Sequence, residues 1–261
     1  MSDGPVSSVP RVGVVAAALG EDIRVAAKIA RGLGFSGVQL DLRLGGLDLF
    51  SLSQSGQREL ISILRGNDLQ FVSLRLDLGA KGIGAGADID AGLDRIQKAL
   101  VAAAGLQCQM VCVDFGPPPV GMAMEDLAHR ADRHGVAIAF RSDLTGFAEL
   151  EKAVKTGDCP WFLVDLDPVA MLRDALNEDE IFLRIGAKIG HVRGRDAILG
   201  SEKRTKATVI GKGSVNWREL MGRLDAAGYQ GWVTVDPVEL QQRQIAAIAG
   251  LAVIRDSKFD R

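Results

Sequence analysis

Residues 37–77 read GVQLDLRLGGLDLFSLSQSGQRELISILRGNDLQFVSLRLD, and their periodicity decides the fold. Gly37–Asp41 and Gln70–Asp77 are short, apolar-rich runs that each end in a carboxylate, the pattern of buried strands. Between them, Ser53–Gly66 places Leu60, Ile63 and Leu64 at helical spacing. Two strands flanking one amphipathic helix form a βαβ unit, and a βαβ unit implies a parallel sheet.

The pattern repeats outward in both directions. Val12–Ala17 reads as a strand, and Glu21-Asp22 opens a helix that Gly32 and Gly34 close. Downstream, strands are predicted over Met110–Asp114, Val136–Arg141, Phe162–Asp167, Ile189–Arg193 and Gly231–Val235. Helices are predicted over Ile89–Leu106, Met124–His134, Phe147–Lys155, Met171–Leu176 with Asp179–Gly186, Trp217–Ala227 and Val238–Ile254. A long polar loop is expected from the seventh strand to Val215. Pro117-Pro118-Pro119 is read as the stop after strand four. Eight strands in 261 residues give about 33 residues per unit, which fits one closed (β/α)8 TIM barrel. An open doubly wound sheet is the competing arrangement. Nothing in the composition divides the chain, so residues 1–261 are expected to form one domain with a flexible N-terminus over 1–10.

Composition narrows the function. Lys plus Arg is 31 and Asp plus Glu is 33, a net charge of −2, which argues against a nucleic-acid binder built on phosphate attraction. No apolar run approaches the length of a membrane span and the N-terminus lacks a signal-peptide pattern. Cys108, Cys112 and Cys159 are too few for a disulfide framework or a thiolate zinc site and read as buried apolar residues. A reducing cytoplasm is expected. The glycines at 79, 82, 84 and 86 do not match a dinucleotide fingerprint and read as a loop over a site.

In a TIM barrel the active site lies where strands end. Here six consecutive strands finish in ionisable residues, while their bodies read as almost wholly apolar. Those ends are Asp41; Arg75 and Asp77; Asp114; Arg141 and then Asp143; Asp165 and Asp167; His191 and Arg193, followed by Arg195 and Asp196. Strand eight adds Asp236. Together they are expected to line one pocket.

Several segments resemble the xylose isomerase-like barrels, and more narrowly the sugar phosphate isomerases and epimerases. They are GFSGVQLDLR (34–43), LSQSGQRELISILRGNDLQFVSL (52–74), FLVDLDPVAML (162–172), IGHVRGRDAI (189–198) and GKGSVNWRELMGRLDAAGYQGWVTVD (211–236). The resemblance implies a divalent metal at the barrel mouth. Its expected ligands are a Glu ending strand five, an acid on strand six with a nearby His or Asn, a His on strand seven and a Glu ending strand eight. It also implies proton transfer by two acidic residues.

The chain departs from that pattern. Arg141 stands at the strand-five Glu, Ala170 at the His or Asn, and Arg193 at the second histidine of strand seven. His191 lies one layer deeper, and Asp236 is one methylene shorter than Glu. Arginine offers no lone pair and stays charged, so the expectation is that no divalent metal is held at those positions.

Asp167 and Asp236 are the expected proton-transfer residues. Arg141, His191, Arg193, Asp196, Asp41, Asp114 and Lys212 are the expected substrate contacts. The basic run from Arg193 to Lys212, with Gly211 and Gly213, reads either as a solvated loop or as a phosphate site. The expected function is a sugar or sugar-phosphate isomerase or epimerase. The alternative is an inactive barrel, derived from such enzymes, that binds a small anionic sugar. A DNA-repair nuclease of the same fold needs a cluster of His and Glu metal ligands, which three histidines do not supply. The expected partner is a small sugar, sugar acid or sugar phosphate, with no nucleic acid and no membrane, and with a homo-oligomer left open.

Overall fold

The computed structural model describes residues 11–79, 81–83, 87–116, 122–142 and 147–257. The expected flexible segment 1–10, Gly84, Gly86, the Pro117–Pro119 stop and Asp143 lie outside them. Eight strands close a parallel barrel: β1 Arg11–Val15, β2 Gly37–Asp41, β3 Gln70–Asp77, β4 Met110–Gly116, β5 Ala137–Ser142, β6 Phe162–Leu166, β7 Ile189–Gly194 and β8 Trp232–Val235. Each strand pairs with its sequence neighbours, and β1 pairs with β8 to complete the ring. The doubly wound alternative is thereby excluded.

The helices are α1 Ile23–Leu33, α2 Gln54–Arg65, α3 Ile89–Gly105, α4 Met122–His134, α5 Phe147–Val154, α6 Pro168–Asp174, α7 Glu178–Ile185, α8 Trp217–Ala226 and α9 Arg243–Asp256. Their starts follow from capping. Asp22, Ser53 and Asp88 accept backbone N–H bonds from Arg24, Gly56 and Ala91, satisfying donors that a helix cannot pair internally. Asp167 caps α6 in the same way, with Pro168 at the first helical position.

Two sequence expectations are corrected. The loop after β7 contains an antiparallel ribbon, Asp196–Leu199 against Thr205–Thr208. Its reversal places Glu202 and Lys203 at φ 56° and 59°. The last helix begins at Arg243 rather than Val238, because Pro237 opens a turn closed by the Leu240 N–H on the Pro237 carbonyl.

Strand alternation sorts the core into two shells. Val38, Leu40, Leu74, Val111, Val113, Phe140, Val164, Leu166, Val192, Val233 and Val235 are buried in the apolar shell between strands and helices. Phe140 stacks on Phe115 at 4.8 Å and meets Phe162 edge-on at 5.1 Å. The alternate residues form the barrel's own interior, and here the reading of apolar strand bodies fails. Gln39, Ser73, Cys112, Asp165, His191 and Thr234 are all buried, where branched aliphatic side chains are the rule.

Candidate active site

The residues that end the strands meet at one rim as alternating cations and anions. Arg75 grips Asp41 with two nitrogens, Nε at 2.5 Å and Nη2 at 3.0 Å, and reaches Asp236 Oδ2 with Nη1 at 2.9 Å. Arg141 bridges Asp114 at 2.5 Å and Asp167 at 3.2 Å. Arg195 bridges Asp167 at 3.3 Å and Glu239 at 2.5 Å. Such fork-to-carboxylate contacts are geometrically exacting and charge-assisted.

A second, buried layer lies beneath. Asp165 accepts from Arg193 Nε at 2.8 Å and stands 2.6 Å from His191 Nδ1. His191 Nε2 meets Thr234 Oγ1 at 2.7 Å, and Gln39 donates to Ser73 at 2.8 Å. Burial alone would raise the Asp165 carboxyl, but Arg193 and His191 outweigh it and hold the group well below the usual carboxylate range. Burial would likewise lower His191, yet the Cys112 sulfur and the Asp165 carboxylate push it up to about 10. Arg193, opposed by burial but facing Asp165, Asp167 and Asp236, is held firmly charged. Its Nη1 comes to 4.0 Å from Asp236, and its buried Nη2 has no hydrogen-bond partner.

Asp41, Asp114, Arg141, Asp167, Arg193 and Asp236 therefore come together at or just beneath the rim. The two expected proton-transfer residues differ in their engagement. Asp167 accepts from Val169 N–H, Arg141 and Arg195. Asp236 accepts from Arg75 and, at 3.3 Å, from Val238 N–H. His191 sits one layer down.

Asp196 has a different setting. Its carboxylate accepts the N–H groups of Ala197, Gly211, Gly213 and Val215 and the Trp217 indole. The Gly211 and Gly213 amides that a phosphate would need are thus already engaged. Lys212 is exposed in that turn. Arg75 and Arg195, which organise the rim, and Asp165, which anchors Arg193, were absent from the expected ligand contacts. The signal that could have found Asp165 is the two-residue repeat VQLD, VSLR, VCVD, VDLD, HVR and VTVD, which stacks polar residues in two layers.

The donor set at the rim does not fit a divalent cation. Of the positions implied by the resemblance, Asp167 and Asp236 alone carry carboxylates, and both already accept from guanidinium groups. A cation between them would lie against fixed positive charges with too few lone pairs.

A family model described as xylose isomerase-like TIM barrel matches residues 27–256. Among solved structures, the chain is similar to a xylose isomerase domain protein from Planctomyces limnophilus, at 16% identity and TM-score 0.77, covering 96% of this chain and 98% of that one. It is similar to D-psicose 3-epimerase with D-tagatose from Clostridium cellulolyticum H10, at 16% identity and TM-score 0.71, covering 95% and 99%. It is also similar to 3-keto-D-glucoside 4-epimerase from E. coli, at 18% identity and TM-score 0.72, covering 95% and 99%. No curated protein sequence matches the chain.

Proposed function

This chain belongs to the xylose isomerase-like TIM barrel family, and on that premise we propose that it is a sugar isomerase or epimerase in which arginines occupy the place of the divalent cation. The observation that carries the proposal is the wedge of Arg75 between Asp41 and Asp236, with Arg193 closing on Asp236 from below. A proton-transfer reaction next to a carbonyl needs a base and a fixed positive group for the developing oxyanion. Asp236 is the better base of the two expected acids, because Asp167 is committed to three donors and to the start of α6. Arg75 and Arg193 supply the positive charge. Asp167, Arg141, Asp41 and Asp114 bind hydroxyls from the remaining rim.

A second reading is favoured by the completeness of the pairing. Every rim guanidinium already has a carboxylate partner, which suits an inactive barrel that binds a sugar, sugar acid or sugar phosphate when an ion pair opens. Among the described residues no helix is long and apolar enough to cross a membrane. The three cysteines are free and buried, which supports a reducing cytoplasm.

The test is solvent-proton exchange in deuterated water, followed by NMR on a panel of ketoses, aldoses, sugar acids and sugar phosphates. The proposal expects exchange at the carbon beside the carbonyl, insensitive to chelator and abolished in Asp236→Asn. Binding without exchange supports the inactive barrel. Exchange that requires Mn2+ overturns the arginine reading.

A further inference from the structure

The barrel also has a cleft at the end opposite the rim. Arg11, Gln70, Met110 and Trp232 are the first residues of β1, β3, β4 and β8. With the end of α2 and the turn after α3 they line a space of about 500 Å3. That volume lies within the roughly 300–1,000 Å3 of small-molecule sites.

The lining has an apolar part and a cationic part. Leu64, Leu69, Phe71, Leu106, Met110 and Trp232 supply the apolar wall. Phe71 and Met110 stay partly exposed there although both are large and apolar. Arg11 and Arg65 supply the charge, and among the described residues no carboxylate lines the cleft. Asp68, next in sequence to Leu69, is held elsewhere by Arg31 at 3.0 Å.

These two arginines differ from those of the rim, each of which faces a carboxylate. Arg11 Nη2 donates to the Gln230 carbonyl at 2.6 Å, and Arg65 Nη2 donates to the Gln107 side-chain oxygen at 2.9 Å. Arg11 also lies over the Trp232 ring, 5.0 Å from its centroid. Both acceptors are neutral. A guanidinium carries five N–H donors, so each arginine keeps donors and its full charge for an anion.

We propose that this cleft is a second ligand site, and that it takes an amphipathic carboxylate. An aryl or medium-chain acyl body covers the apolar wall, and the carboxylate turns to the arginines. Charge and shape together select that class. A free sugar or inorganic phosphate leaves the apolar wall bare to water, which costs free energy in proportion to its area. A neutral lipid leaves the two cations without a counter-charge, whereas a carboxylate matches the guanidinium fork. The site is independent of the sugar reaction, because the rim residues lie at the other end of the strands.

The test is calorimetric titration of the full chain at low ionic strength with naphthoate, with its neutral isostere naphthamide and with decanoate, alongside thermal melts. The expected result is one naphthoate per chain, displaced by decanoate and raising Tm. Naphthamide should bind about tenfold more weakly, the factor of one charge-assisted hydrogen bond. Arg65→Gln should weaken naphthoate by about the same factor, and Gln109→Trp, which sets a large side chain into the lining, should block it. Arg65 and Gln109 are both exposed, so neither variant removes core packing. Arg195→Gln at the rim should leave naphthoate affinity unchanged. A wild type that binds no naphthoate overturns the site. Equal affinity for naphthamide, or unchanged affinity in Arg65→Gln, does the same. Loss in Arg195→Gln with none in Arg65→Gln places the anion at the rim and also overturns it.

Discussion

Replacing Asp196 with asparagine separates a structural anchor from a ligand contact. Its Oδ1 accepts the Ala197 and Val215 amides, and its Oδ2 accepts the Gly211 and Gly213 amides and the Trp217 indole. There is no slack around it: a Cβ added at Gly213 would fall 2.1 Å from Oδ1. Asparagine keeps the shape but must turn its NH2 group toward one set of donors. The cheaper orientation strands the two amides at the Oδ1 side. At about 1–3 kcal/mol for each unsatisfied donor, with loss of charge assistance to the other three, the expected destabilisation is about 3 kcal/mol. In urea, with a slope of about 3 kcal/mol/M for a chain at the larger end of the usual range, the midpoint should fall by about 1 M. Proteolysis should also cut earlier between residues 199 and 215, where the ribbon loses its tether. A destabilisation below about 1 kcal/mol would refute the anchoring argument. Loss of sugar binding in an equally stable variant would instead make Asp196 a ligand contact.

Arg75→Met strands Asp41 and Asp236 together. Because these groups are partly exposed, the cost is expected near 2 kcal/mol rather than the 3–5 of a sealed pair, and adding Asp41→Asn should recover part of it in thermal melts. Glu151 is held down at about 2 by Arg184 and then Lys155. Its contribution is present above its unfolded value of 4.5 and is lost as pH falls through about 2. The urea stabilities of wild type and Glu151→Gln should therefore converge below pH 2, from a difference of less than about 1 kcal/mol at neutral pH; a gap that persists in acid argues against the pair. Gly82→Ala places a Cβ 1.6 Å from the Phe115 carbonyl oxygen at φ +51°. Calorimetry should show a Tm lower by roughly 4–8 °C, equivalent to about 2 kcal/mol in a chain of this size, and an unchanged Tm would mean that this turn is not held as described.

The strands, most helix starts and the mouth of the barrel were legible because they rest on local signals; α6 is an exception, beginning at Pro168 rather than the expected Met171 because Asp167 caps it. The two-residue alternation, the caps at Asp22, Ser53 and Asp88, and charges that end strands are each readable within a few positions of the chain. The ribbon after β7 and the late start of α9 were not, since turn chemistry there competes with a weak pattern.

What each charge does was decided only by closure of the barrel. Arg75 and Asp236 are 161 positions apart, and Arg141 and Asp167 are 26 apart. They meet because β1 pairs with β8 and the strand ends share one rim. The sequence by itself determined that ionisable groups would collect at that end and that two expected ligand positions carry arginine. The tertiary structure decided that the rim acids engage guanidiniums, that Asp196 serves its own loop, and that Cys112, Asp165 and His191 share a buried layer. Periodicity fixes the face on which a side chain lies. Its partner depends on which strands the closed sheet brings side by side.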